Sequence, residues 1–93
     1  MAVVTGVIAD DFTGATDIAS FMTEQGWRVA LLPGMPEKAQ RWDEDADAIV
    51  ISLKSRSLPA SEAIRQAVDC CQWLQEQAGA QQIFFKYCST FDS

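Results

Sequence analysis

The chain has 93 residues, 48% hydrophobic and 22% charged, which is enough for one small globular domain and too short for two. Seven basic against thirteen acidic residues give a net charge of −6. That balance argues against a nucleic-acid partner, because phosphate recognition needs a clustered positive surface. A small anionic ligand needs only a few converging cations and is compatible with it.

The apolar runs around Val3–Ala9 and Ile49–Ile51 fall far short of the ~20 residues of a membrane span. The opening Met-Ala-Val-Val lacks the basic region and long apolar stretch of a secretory signal. Cys70 and Cys71 are neighbours and Cys88 stands apart, a cysteine usage that points to a reducing, cytoplasmic compartment. With no histidine and no C-x-x-C pattern, a zinc site is not expected.

In chain order, Val3 to Ala9 is a β-branched, nearly continuous apolar run, the pattern of a strand buried on both faces in a parallel sheet. Asp10-Asp11-Phe12-Thr13-Gly14 breaks it. Ala15, Ile18, Ala19 and Met22 then recur at the spacing of an amphipathic helix, with Thr13 placed for an N-cap and Gly26 for a stop. Arg28 to Leu32 reads as a second strand and Pro33-Gly34-Met35-Pro36 as a turn. Glu37 to Trp42 has room for one or two helical turns, and the acidic run Asp43 to Asp47 reads as a solvated loop.

Ala48 to Leu53 is a third strand, followed by the polar break Lys54-Ser55-Arg56-Ser57. Pro59 suits a first helical position. Ala60, Ala63, Ile64, Ala67, Val68, Cys71 and Leu74 then carry an apolar stripe towards Gly79. Gln82 to Phe85 is the fourth strand, with Phe84, Phe85 and Trp73 expected in the core and Trp27 and Trp42 at its edge or at an interface. The sequence therefore predicts an α/β fold: a mainly parallel sheet of about four strands with flanking helices, a Rossmann-like three-layer arrangement. A fourth strand is normally followed by a covering helix, so residues 1–93 read as a truncated, N-terminal part of a domain. Its uncovered apolar surface is expected to favour self-association.

Ligands of parallel sheets bind at the C-terminal ends of the strands. Here Asp10 and Asp11 follow the first strand, Lys54, Ser55 and Arg56 the third, and Lys86, Ser89, Thr90 and Asp92 the fourth. Carboxylates, cations and hydroxyls on one rim suit a polyhydroxylated anion. Arg56 could grip its carboxylate bidentately, and the aspartates could accept hydrogen bonds from its hydroxyls. Each group also has a plainer reading. An acidic pair after a strand is often a turn plus a helix cap, with Asp11 the better capper and Asp10 the better ligand group. Lys54 and Arg56 suit a solvated loop, and Ser89, Thr90 and Asp92 a loop or cap. Neither G-x-G-x-x-G nor G-x-x-x-x-G-K-[ST] occurs. A phosphoreceiver domain would need an acid at the end of the third strand, where Ile51-Ser52-Leu53-Lys54 stands.

Three blocks carry a resemblance: Ile8-Ala9-Asp10-Asp11-Phe12-Thr13-Gly14-Ala15-Thr16-Asp17, Leu53-Lys54-Ser55-Arg56-Ser57, and Phe84 to Ser93. Together they resemble the sugar-binding N-terminal domain of the four-carbon acid sugar kinase family, over the whole chain. The third block departs from the K-x-D-S-T-L-R-G of the D-threonate and D-erythronate kinases and is similar to the 3-oxo-tetronate kinase branch. The resemblance implies phosphoryl transfer from ATP to the 4-hydroxyl of a four-carbon sugar acid. It implies that ATP and Mg2+ are held by a C-terminal domain beyond this chain, which alone would be inactive. It further implies Asp10 and Asp11 as hydroxyl-orienting groups and Arg56 and Lys86 as carboxylate anchors. Ser89, Thr90 and Asp92 become additional contacts, and Asp10 is one candidate for the general base. The alternatives are a D-threonate or D-erythronate kinase, or a non-catalytic module binding a small anion.

Overall fold

The computed structural model describes residues 3–37, 46–54 and 58–86. Its elements are β1 (Thr5–Ala9), α1 (Phe12–Glu24), β2 (Val29–Pro33), β3 (Ala48–Ser52), α2 (Ala60–Glu76) and β4 (Gln82–Lys86). All strand pairs are parallel, in the order β2-β3-β1-β4. β1 and β3 are buried along their whole length, because each has a strand on both sides and a helix over a face. Their apolar runs satisfy both.

The two helices lie on opposite faces. Val7, Ala9 and Val50 pack with Ala15 of α1, while Ile8, Ile49 and Ile51 pack with Cys70, Trp73 and Leu74 of α2. This is the expected three-layer α/β arrangement. Alternate residues of β1 serve alternate faces, as strand geometry requires. Gly6 points at α2, where Leu74 occupies the space a side chain would fill.

Several local expectations are corrected. Of the two capping candidates Asp11 takes the role, in extended backbone, with its Oδ1 accepting from the Gly14 N–H at 2.8 Å, and Thr13 lies inside the helix. Pro59 is the N-cap of α2, one position before the expected one. β2 runs one residue later than Arg28–Leu32, and β4 extends to Lys86, so that lysine is the last residue of the strand. The expected short helix and most of the acidic run fall outside the described residues. Asp47 is described, and it is more than a solvated loop residue. Its Oδ2 accepts from the Arg28 N–H at 2.9 Å, and its carbonyl accepts from Val4 and Thr5.

The largest departures concern coverage. Trp73 is core, as expected, but Phe84 is 55% and Phe85 44% exposed. On α2, Ile64 is 63% and Val68 49% exposed, and the buried residues are Cys70, Trp73 and Leu74. The reason is position in the sheet. Among the described residues β4 is an edge strand, so its two phenylalanines, one on each face, lack a neighbouring strand on one side. Only the C-terminal half of α2 lies over the sheet centre.

Candidate functional site

The strand order brings the polar residues of the rim together. β1 leaves for β2 through α1, whereas β3 leaves for β4 through α2 on the other face. The chain thus leaves the adjacent C-terminal ends of β1 and β3 toward opposite faces of the sheet, and the crevice between such ends is where open parallel sheets bind ligands. Asp10 and Asp11 stand on one side of it and Lys54 on the other. The Leu53 N–H donates to the Ala9 carbonyl at 2.8 Å and locks the two ends side by side.

Lys86 approaches from the opposite flank of β1. It pairs with Ala9 in register, and its carbonyl accepts from the Asp10 N–H at 3.1 Å. Sharing the face of Ala9, its side chain lies along the first turn of α1. A Cβ built on Gly14 would come within 3.7 Å of Lys86 Cε. The helix N-terminus, the Asp11 carboxylate bound to it and the lysine stem thus form one corner. A carboxylate at that helix end is favoured by the exposed N–H groups and the helix dipole.

The rim is shared, but its hollows are distinct. Asp10 lines a small hollow with Leu53, Phe85 and the Ile64–Val68 side of α2. Lys54 lines a second with Phe12, Ser52 and Gln66. Lys86 lines a third, along α1, with Phe21 and Phe84. Arg56, Ser89, Thr90 and Asp92 lie outside the described residues. Among the described candidates, Asp10, Asp11 and Lys86 are neighbours on the rim, with Lys54 across β1 from Lys86, but Asp10, Lys54 and Lys86 open into different hollows and not into the one shared hollow that was expected.

Two further polar features are remote from this rim. Asp47 sits at the N-terminal end of the sheet, where its hydrogen bonds with the Arg28 backbone and side chain hold its carboxyl below the usual range. Cys70 is fully buried under α2, and burial, aided by Asp69 and Cys71, pushes its thiol up to about 12. A thiol so suppressed is no nucleophile. Gly14 is legible in the sequence as the opening of the first helix that would let an anion approach its N-terminal amides, and Ser52 only as part of an apolar strand. Among the described residues no group of three or more acidic or thiol side chains could hold a metal ion, and no helix is long and apolar enough to cross a membrane.

The chain is 58% identical to the 3-oxo-tetronate kinase of Salmonella typhimurium over 88 residues, covering 95% of the chain and 20% of that protein. It is 57% identical to the Escherichia coli 3-oxo-tetronate kinase, covering 95% of the chain and 22% of the relative. The crystal structure of Haemophilus influenzae protein HI1011 superposes with a TM-score of 0.84 at 58% identity, over 95% of this chain and 21% of that one. The chain thus spans about a fifth of the length of the curated relatives it matches. The sugar-binding N-terminal domain family matches residues 5–93, and the chain belongs to that family.

Proposed function

We propose that this chain is the sugar-acid-binding portion of an ATP-dependent kinase that phosphorylates the 4-hydroxyl of a four-carbon sugar acid, with 3-oxo-tetronate the preferred substrate. One structural observation carries the reading. Asp11 and the Lys86 stem meet at the N-terminal end of α1, and Asp10 adjoins them on the same rim, its N–H donating to the Lys86 carbonyl. The relatives named 3-oxo-tetronate kinase support the substrate class.

In this reading Asp10 and Asp11 accept hydrogen bonds from substrate hydroxyls, and Lys86 and Arg56 hold the carboxylate. Ser89, Thr90 and Asp92 complete the cradle. Asp10 is the candidate base for the proton of the reacting hydroxyl. ATP, with Mg2+, supplies the phosphoryl group, and its site belongs to a separate nucleotide-binding domain. Among the described residues no acidic cluster stands ready to hold the ion. Phosphoryl transfer depends mainly on positioning and charge stabilisation, which suits a division of the two ligands between domains that close on each other. The unpaired thiols Cys70 and Cys71 favour a reducing, cytoplasmic setting.

The test uses the 93-residue protein in two assays. NMR titration with 3-oxo-tetronate, L-threonate and D-erythronate is expected to shift the Asp10, Asp11 and Lys86 resonances, most strongly with 3-oxo-tetronate. Incubation with ATP, Mg2+ and the same acids is expected to yield no phosphorylated product. Absence of any shift at high ligand concentration would defeat the binding proposal, and product formation would defeat the division of labour.

A further inference from the structure

Gly14 stands within α1, in a position where glycine is unfavourable by helix propensity. Its φ is not positive, unlike those of Gly26, Gly34 and Gly79, so backbone conformation does not call for it. The surroundings do. A Cβ at position 14 would stand 2.8 Å from Asp11 Oδ1, closer than real Cβ atoms come, and 3.7 and 3.8 Å from Lys86 Cε and Cγ. The same residue donates its N–H to Asp11 Oδ1 at 2.8 Å.

We propose that Gly14 is a positioning residue of the sugar-acid site: its lack of a side chain leaves the Asp11 carboxylate its place on the helix end and keeps the path of the Lys86 stem along the first turn of α1 clear. The inference rests on the reading of Asp11 and Lys86 as sugar-acid contacts. It adds the residue that fixes where both charges are presented. The two contacts have different tolerances. A methyl group at position 14 presses on Asp11 alone, because 3.7 Å from Lys86 is ordinary van der Waals separation. A branched side chain extends past that distance and displaces the lysine stem as well.

The experiment compares the wild-type 93-residue protein with Gly14→Ala, Gly14→Val, Lys86→Met and the double variant Gly14→Val/Lys86→Met. Nuclear Overhauser contacts between residue 14 and the Lys86 methylenes report the seat directly. They are expected in the wild type and in Gly14→Ala and lost in Gly14→Val. D-erythronate, titrated by NMR, is expected to bind roughly tenfold more weakly to Gly14→Ala and weaker still to Gly14→Val. Adding Gly14→Val to Lys86→Met should then weaken binding only as far as Gly14→Ala does, because the lysine contribution is already gone.

A merely structural role predicts the opposite pattern: the full Gly14→Val loss adds to that of Lys86→Met. That additivity would overturn the proposal, and so would Lys86 contacts retained in Gly14→Val. Should Gly14→Val fail to fold, Gly14→Ala decides, through displacement of the Asp11 carboxyl resonance and the accompanying loss of affinity. Unchanged values of both would overturn the proposal. If wild-type protein binds no tetronate, the sugar-acid reading fails, whereas the seating of Asp11 and Lys86 is still decided by the NMR contacts.

Discussion

Leu74 of α2 lies directly on the backbone of Gly6 in β1: a Cβ at position 6 would stand 2.7 Å from Leu74 Cδ1 and 3.0 Å from Cδ2. Both residues are buried, so the leucine has no open space into which to withdraw. The glycine sets how closely α2 approaches the sheet. Gly6→Ala is therefore expected to destabilise the protein by about 1–3 kcal/mol through overpacking. Urea unfolding measures this, and Leu74→Val in the Gly6→Ala background should recover part of the loss. Unchanged stability of Gly6→Ala would show that the helix moves outward freely.

The cap of α1 gives a second test. Asp11→Ala removes the carboxylate that accepts from Gly14 and is expected to lower stability by about 0.5–2 kcal/mol, whereas Asp11→Asn retains an acceptor and most of the stability. Thr13→Ala should change little, because Thr13 stands inside the helix and is exposed. Equal losses for Asp11→Ala and Thr13→Ala would contradict the capping geometry. Thermal or denaturant melts of the three variants make the comparison.

Acid titration should reveal Asp47. Its carboxyl titrates below the ordinary value of 3.8, first because of the backbone hydrogen bond from Arg28 and then the side-chain one. Since the folded pKa is the lower of the two, the contribution is present in full above the unfolded value and is lost as pH falls through the folded one. Asp47→Asn should thus be less stable than wild type at neutral pH, and the gap should close below about pH 4. The effect is expected to be small because the pair is exposed. A gap that does not narrow as pH falls below about 4 would assign it to something other than this charge.

Exposed Phe84 and Phe85 on the edge strand β4 are expected to drive self-association of the 93-residue protein. The opposite edge differs in kind, since β2 ends in Pro33, a residue that discourages strand pairing. Sedimentation velocity at increasing concentration should show larger species for wild type and fewer for Phe84→Glu, whose charge blunts the edge. A wild-type monomer at all concentrations would refute this.

The described strands and helices were largely legible in the amino-acid order, because their apolar spacing is a local property. The parallel pairing could also be anticipated, since strands buried on both faces and separated by helices have few other arrangements. The capping residue was less clear. Asp11 and Thr13 both have suitable side chains, and the choice between them depends on where the backbone turns helical. That some apolar surface stays uncovered was legible, but not that it falls on Phe84, Phe85, Ile64 and Val68. Hydrophobicity marks a residue that gains by burial, and says nothing of whether a neighbour exists to bury it.

The same distinction governs the site. From its sequence alone, this chain carries an acidic pair after the first strand and a lysine at the fourth, both bound for one rim of a parallel sheet. Tertiary structure decided that β1 lies between β3 and β4, setting Asp10 beside Lys86 and across from Lys54. It also decided that the Lys86 stem passes the end of α1 at Gly14 and that Asp10 and Lys86 line different hollows. Strand order follows from the direction each crossover takes and from long-range pairing. These balance contributions from the whole sheet, and the periodicity of a single segment contains no trace of them.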